Sequence, residues 1–289
     1  MDMMTLLIQA GVNGLVIGTM YALMAIGFTL VFGIMRVVNF AHGEFYMIGS
    51  FIAFFTYAQW QLPFVVTILA AVLLVGVVGA LVEWALIRPL RGDELTGMIA
   101  TLGISVVIQN TALMYFGASP RPMPDVISGL VRVGPAVFSW SRIFVIIAAA
   151  LVIGAFWLFM QKSRTGRAMR AVAQDREAAL IQGIDVEKIF PLAFGISVAL
   201  AAVAGAMMAP VFSVSPFVGV TPMLKAFIVV ILGGLGSIPG AVLGGLLLGM
   251  IESFGATLLG AMVADMLQLA LVIAILLVRP SGLMGRKEA

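Results

Sequence analysis

Residues 5–35 read TLLIQAGVNGLVIGTMYALMAIGFTLVFGIM, thirty-one consecutive residues without a charged side chain. About 20 apolar residues already cross roughly 30 Å of hydrocarbon, so lipid is the natural surrounding of this run. As a helix it spans about 46 Å at 1.5 Å per residue, and it must tilt strongly or begin as an interfacial segment. The remainder of the chain has the same character. Hydrophobic residues make up 62% of the 289 and charged residues 10%, against roughly 45–50% and 25% in soluble domains. The apolar runs are long and unbroken, whereas barrel strands alternate over about ten residues, so helices are selected. The sequence predicts an all-α polytopic integral membrane protein, a helical bundle of about eight to ten transmembrane helices.

Apolar runs between charges give nine candidate spans, near residues 5–35, 43–60, 63–87, 96–117, 141–161, 189–212, 222–235, 238–259 and 263–279, within a single transmembrane domain covering 1–289. With the N-terminus outside, the polar segments at Arg36, Arg88 to Glu94, Lys162 to Lys188 and Arg279 to Ala289 share one side. They hold twelve of the sixteen basic residues, the others being Arg121, Arg132, Arg142 and Lys225. The positive-inside rule makes that side cytoplasmic, together with the C-terminus. The seventh span is the weak point of the count. It is short and stops at Gly233-Gly234-Leu235-Gly236-Ser237-Ile238-Pro239-Gly240, and a segment that re-entered there without crossing would reverse the parity. Gly233, Gly234, Gly236, Pro239 and Gly240 make this break a candidate hinge.

Several functions are excluded early. The chain has no cysteine, hence no disulfide, thiolate metal site or cysteine nucleophile. His42 is the single histidine, so no zinc site is expected, and no paired acid and base suggest an enzyme. The net charge of +3 follows from topology and calls for no nucleic-acid partner. MDMMTLLIQ lacks a basic leader region, so no cleavable signal peptide is expected. The external loop 118–140, with four prolines and Val131-Arg132-Val133, reads as irregular with a short hairpin, either a resting place for a binding protein or a plain connector. Small residues recur at helix-packing intervals, at Gly14 and Gly18, Gly76, Gly79 and Ala80, Gly240 and Gly244, and Gly245 and Gly249.

The longest polar island is Lys162 to Lys188, the cytoplasmic loop 162–188. Within it Asp175 reads as an N-cap, Glu177 stands in the first turn where the helix dipole favours negative charge, and Gly183 ends the helix. Leu180, Ile181 and Ile184 are expected to anchor this short helix to the membrane body, while Ala178 and Ala179 offer a low-relief seat to another protein. The spacing Glu177-Ala178-Ala179 to Gly183 is similar to the signature by which permease subunits of ATP-binding-cassette importers dock their ATPases. No Walker A motif occurs anywhere in the chain, so ATP hydrolysis, if it powers transport, belongs to a separate subunit.

Polar residues at membrane depth are expensive and face protein or a water-filled path. Asn39, His42 and Glu44 in NFAHGEF either gate the inner end of a path or lock a re-entrant turn by hydrogen bonds. Glu252 is the most isolated intramembrane charge, with Gln109 and Asn110 as candidate partners. Asn13, Gln109, Asn110 and Glu252 are candidate path-lining groups. Glu83 is expected at the interface near Arg88, and Asp265 at the outer boundary of the last span.

Taken together, Gly11-Val12-Asn13-Gly14 with Tyr21-Ala22-Leu23, Val38 to Phe45, Gly166 to Ala173 with Glu177 to Ile184, Gly233 to Gly240, and Arg279-Pro280-Ser281-Gly282-Leu283 resemble the LivH-type permeases of branched-chain amino acid ABC importers. The resemblance implies a bacterial inner-membrane subunit paired as a heterodimer with a second, related permease, above two cytoplasmic ATPases and below a periplasmic binding protein. It implies no cofactor on this chain, ATP and Mg being held by the ATPases, and coupling through Asp175, Glu177, Ala178, Ala179 and Gly183. A permease for urea, amides or a sugar is the alternative within the same mechanism. An ion-coupled secondary transporter is the alternative outside it, and would show inverted repeats with helices broken at corresponding places. No counterpart of the Gly233–Gly240 break is evident in the first half.

Overall fold

The computed structural model describes residues 2–90 and 93–285. Arg91, Arg286 and Lys287, counted above among the basic residues, lie outside the described residues. In chain order the elements are α1 (Met3–Met35), α2 (His42–Ala53), α3 (Phe64–Val82), α4 (Glu94–Phe116), β1 (Leu130–Val133), β2 (Ala136–Ser139), α5 (Trp140–Lys162), α6 (Arg164–Gln174), α7 (Arg176–Ile181), α8 (Val186–Met208), α9 (Val220–Gly233), α10 (Ile238–Leu259) and α11 (Ala261–Val278). Wider π-turns extend α2 to Gln59 and α3 to Ile87. Seven helices are long and apolar enough to cross a membrane, and α9 is a shorter apolar helix.

The two ends of the bundle carry different structures. At the island end, Gly33 of α1 lies beside Gly236, Arg170 of α6 donates to the Met160 carbonyl of α5, and the Met284 N–H donates to the Gly233 carbonyl at 3.0 Å. At the hairpin end, β1 and β2 pair antiparallel, Gly134 faces Ile8 of α1, and Arg121 bridges to Val214. Tyr57 donates to the Asp125 carbonyl there at 3.0 Å.

Between these ends, α2 starts at mid-depth. His42 Nε2 lies 3.1 Å from the Met24 carbonyl, which is eleven residues, or about 16 Å, back along α1 from its island end. Ser105, at a matching height on α4, donates to Glu44 at 3.0 Å. The six residues 36–41 that climb to this level reach about 20 Å when extended, which is sufficient. Helix α9 repeats the arrangement from the opposite side. Residues 209–219 turn inward from the hairpin end, and Gly219 at the start of α9 abuts Gly43 at the start of α2. A β-carbon on Gly43 would sit 2.6 Å from the Gly219 carbonyl oxygen, so neither position has room for a side chain.

Two half-depth helices therefore meet N-terminus to N-terminus, each completed to a full crossing by non-helical chain. Such backbone is tolerated at membrane depth only when buried in protein or lining a cavity, and Asn39, Ala41 and Val214 are all buried. Nine traverses of the bundle result among the described residues, with the first and last described residues at opposite ends, so the short seventh span does not disturb the parity. The break that has a counterpart is not the one at Gly233–Gly240. The counterpart of segment 36–41 is 209–219, and the turn at Gly233–Gly240 is a separate reversal between α9 and α10.

Small residues allow the central helices to touch. Gly18 of α1 meets Gly249 of α10, where a β-carbon on Gly249 would fall 2.3 Å from the Gly18 nitrogen, and Gly79 of α3 faces Gly195 and Val198 of α8. With no hydrophobic effect to separate helix from lipid, this close backbone contact supplies the packing energy. Helices α1 and α8 form the buried centre, while α3, α4, α5 and α11 turn most of their apolar residues outward.

Candidate functional site

The island folds into two helices. Ser163 caps α6 by accepting from the Gly166 N–H at 2.8 Å, and α6 buries Gly166, Met169 and Val172 while Arg164 and Arg167 are exposed. Arg170 and Arg167 reach back to the carbonyls of Met160 and Lys162 at the end of α5, where cations complement the helix dipole and satisfy orphan acceptors. Some of the basic charge of the island thus binds α6 to α5.

Helix α7 has the predicted caps. The Asp175 carboxylate accepts from the Ala178 N–H at 3.0 Å, Glu177 stands in the first turn, and Gly183 closes the end with φ +79°. The closing bonds run from the Gly183 N–H to the Leu180 carbonyl and from the Ile184 N–H to the Ala179 carbonyl. Ile184 packs against the core as expected, but Ala179 and the pair Leu180 and Ile181 exchange the expected faces. Ala179 is buried against the body, whereas Leu180 is 50% and Ile181 87% exposed. A helix turns about 100° per residue, so fixing Ala179 inward carries Ile181 about 200° round to the outside. The small alanine permits the close approach, and the bulky pair is left projecting from a polar loop, as at surfaces that meet a partner.

Two clefts lie against this island. One, of about 680 Å³, is bounded by the end of α1, by α5 and α6, and by the turn at 235–239. The second, of about 460 Å³, runs from Gly33–Val37 to Asp175–Glu177 and Phe190, directly behind α7. Arg36 borders both. It has a left-handed backbone, φ 55°, and is the first residue of the link to α2. Arg176 of α7 lies over the Phe190 ring of α8 at 5.4 Å. Beside them, Arg88 pairs with Glu187 at 3.0 Å, and the hydrogen bond from Lys188 holds the Asp185 carboxyl below its usual range. Glu83, expected at the interface near Arg88, is instead fully buried at the start of the π-turn that follows α3.

Asn39, His42 and Glu44 come together around the start of α2, each buried. The Asn39 carboxamide accepts from the Ala41 N–H at 3.0 Å, forming a local turn. His42 donates through Nε2 to Met24 and packs edge-on against Phe28 at 5.6 Å. These contacts lock the half-helix to α1 and α4.

The remaining path candidates are dispersed. Asn13 accepts from Arg142 near the hairpin end. Asn110 is exposed on α4 and donates to its own helix at Val106, with Gln109 half-buried beside it. Neither reaches Glu252, whose partners are Tyr21 at 2.8 Å, Gln268 at 3.0 Å and Lys225 at 3.3 Å. Helix α10 packs against α1, α9 and α11 and not against α4, which keeps these amides away from Glu252. Asp265 belongs to the same cluster, 2.5 Å from Lys225. Tyr21 escapes a reading along the chain because α1 is far from α10 in sequence, and Lys225 and Gln268, on the adjoining α9 and α11, meet Glu252 only through the rotation of the packed helices. The candidate hinge is clamped here, with Gly234 and Gly236 at φ +100° and +80° and the tail closing on it through the Leu283 N–H, which donates to the Leu232 carbonyl at 2.8 Å.

Comparison with known proteins agrees with this architecture. The family model described as the permease component of the branched-chain amino acid transport system matches residues 11–276. The chain belongs to this permease family. Among relatives, BraD of Pseudomonas aeruginosa, a high-affinity branched-chain amino acid transport system permease protein, is 38% identical, with 97% of this chain and 96% of the relative covered. LivH of Escherichia coli strain K12, which has the same description, is 36% identical over the same shares. The ribose import permease RbsC of Bacillus subtilis is 28% identical over 58% of this chain and 53% of its own length. As a member of this permease family the chain is a multi-pass transport subunit and works within a transporter complex.

Proposed function

We propose that this permease is one of two membrane subunits of an ATP-driven importer that carries branched-chain amino acids across the bacterial inner membrane. The observation that carries the reading is α7, a helix capped at both ends that projects Leu180 and Ile181 from the end of the bundle rich in basic residues. That end is assigned to the cytoplasm, with the N-terminus outside, because nine crossings and the distribution of basic residues agree. Of the two ATPase subunits, which hold ATP and Mg, one seats on α7, and a periplasmic binding protein delivers cargo at the hairpin end. A second, related permease completes the pair across the exposed apolar faces.

Coupling follows from the clefts. A rigid α7 pushed by an ATPase carries the wall Ala173 to Glu177 across the second cleft toward the end of α1 and Arg36, where the link to α2 begins. The link ends at the lock formed by Asn39 and His42, so movement at α7 reaches the meeting point of the two half-helices. ATP drives this only insofar as the closed ATPases bind the two permease states with different affinity.

Cargo is assigned from relatives that match nearly the whole chain. The fructose and ribose permeases align over 58% of it and favour a sugar as the second reading. The test is reconstitution with the neighbouring subunits and uptake of labelled leucine and ribose. ATP-dependent leucine uptake supports the assignment, and uptake of ribose alone overturns it.

A further inference from the structure

Lys225 of α9, Glu252 of α10 and Asp265 and Gln268 of α11 form, with Tyr21 of α1, a cluster at membrane depth whose charges do not cancel. Glu252 lies fourteen residues, about 21 Å, along α10 from the island end, well inside the hydrocarbon layer. Two carboxylates face one ammonium. Lys225 donates to Asp265 at 2.5 Å and to Gln268, and its ammonium pairs with Glu252 at 3.3 Å. Tyr21, Gln268 and Lys225 all converge on Glu252 Oε2, and among the described residues no hydrogen bond reaches its Oε1. Asp265 offers its second oxygen in the same way. The cluster also opens onto the surface of the chain. Lys225 is 12% exposed and Glu252 24%, but Asp265 is 62% exposed. Asp265 stands four residues, about 6 Å, from the hairpin-end start of α11 at Ala261, and ionisable groups that reach from there into the bundle face protein or a water-filled path.

We infer that Asp265 and Glu252 receive the α-ammonium group of the amino-acid cargo as it passes along this face of the permease. The free carboxylate oxygens supply acceptors to a cation, while Lys225, paired with both carboxylates, holds them together. Met262 and Leu269 flank Asp265 three and four residues away on α11, on the same helix face, and both are exposed. They offer an aliphatic surface beside the ammonium position, the pairing that a branched aliphatic amino acid presents. Weak binding suits the role, because a conduit must release what it receives. Passage of an amino acid rests on the cargo reading above, but recognition of an ammonium group by these carboxylates can be read without it.

The experiment uses the detergent-purified complex of the permease with its partner subunits, without binding protein. Saturation-transfer NMR compares leucine with isoamylamine, which keeps the ammonium, and isovalerate, which keeps only the carboxylate. Leucine and isoamylamine are expected to bind and isovalerate not. Asp265→Asn and Glu252→Gln should lower the amine signal at least fivefold, and Asp265→Glu should retain it. In proteoliposomes with ATP and saturating binding protein, Asp265→Asn should reduce leucine uptake tenfold or more while complex assembly and ATP hydrolysis persist. Equal binding of isovalerate, or amine binding unchanged in Asp265→Asn, overturns the site. Loss of assembly in parallel with uptake, unrelieved by Asp265→Glu, also overturns it in favour of a structural ion cluster. Amine binding without leucine uptake leaves the site standing and removes the cargo reading.

Discussion

Gly183 allows the docking helix to be tested through its backbone alone. With φ +79° it occupies the left-handed region, yet a β-carbon there would have no atom within 4 Å. Replacement therefore acts through conformation and not through a clash. The left-handed backbone costs an ordinary L-residue about 1–2 kcal/mol, and asparagine pays least. Helix α7 has six residues, and helices shorter than about 12–15 residues are marginal without help from caps and packing. A loss of about 1–2 kcal/mol at its closing turn thus changes the ratio of ordered to frayed α7 by roughly 5–30-fold. Gly183→Val should reduce co-purification of the ATPase subunits and ATP-driven uptake by a factor in that range. Gly183→Asn, of similar volume, should remain within about twofold of the parent, a gap smaller than 1 kcal/mol. Both variants should keep the same thermal unfolding midpoint, because the bundle is untouched. Equal behaviour of the valine and asparagine variants would refute the argument that the closed end of α7 is what the ATPase requires.

Ile181→Glu places a charge on the outward face of α7, and ATPase association should fall at least tenfold with folding unchanged, as read by co-purification and thermal unfolding. Gly249→Leu forces the α1–α10 crossing apart, and a strain of at least about 1–3 kcal/mol should cut the yield of folded protein, while Gly103→Ala, with nothing within 4 Å of the new carbon, should be silent in the same assay. His42→Ala leaves the buried Met24 carbonyl without its added donor, costing about 1–3 kcal/mol. The unfolding midpoint should fall, and residual ATP-driven uptake should stay insensitive to a protonophore.

Much of the fold is legible in the sequence because hydropathy is additive along a helix. The apolar run at 5–35 becomes α1, the nine expected spans correspond to nine crossings, and the glycine spacings mark where α1 meets α10. What hydropathy does not record is depth. His42 and Val220 follow non-helical chain that enters the bundle from opposite ends, and a window of apolar residues reads the same whether its helix starts at the interface or midway. The island was readable where caps decide it, at Asp175 and Gly183. Where rotation decides it the island is not legible, since one buried alanine determines where Leu180 and Ile181 point. Glu252 was visible as an intramembrane charge, but its partners Tyr21, Lys225 and Gln268 depend on which helices become neighbours, a property of the packed bundle. Broken helices in both halves are the feature the ion-coupled alternative called for, so that feature does not distinguish the two mechanisms and the energy source must be measured.

The most direct measurement is uptake of labelled leucine into proteoliposomes containing this permease with its partner permease and ATPases, and supplied with binding protein. The account predicts uptake that requires ATP inside the compartment holding the ATPases, continues after proton and sodium gradients are collapsed, and is lost in Ile181→Glu. Uptake that proceeds without ATP, driven by an ion gradient alone, would contradict it.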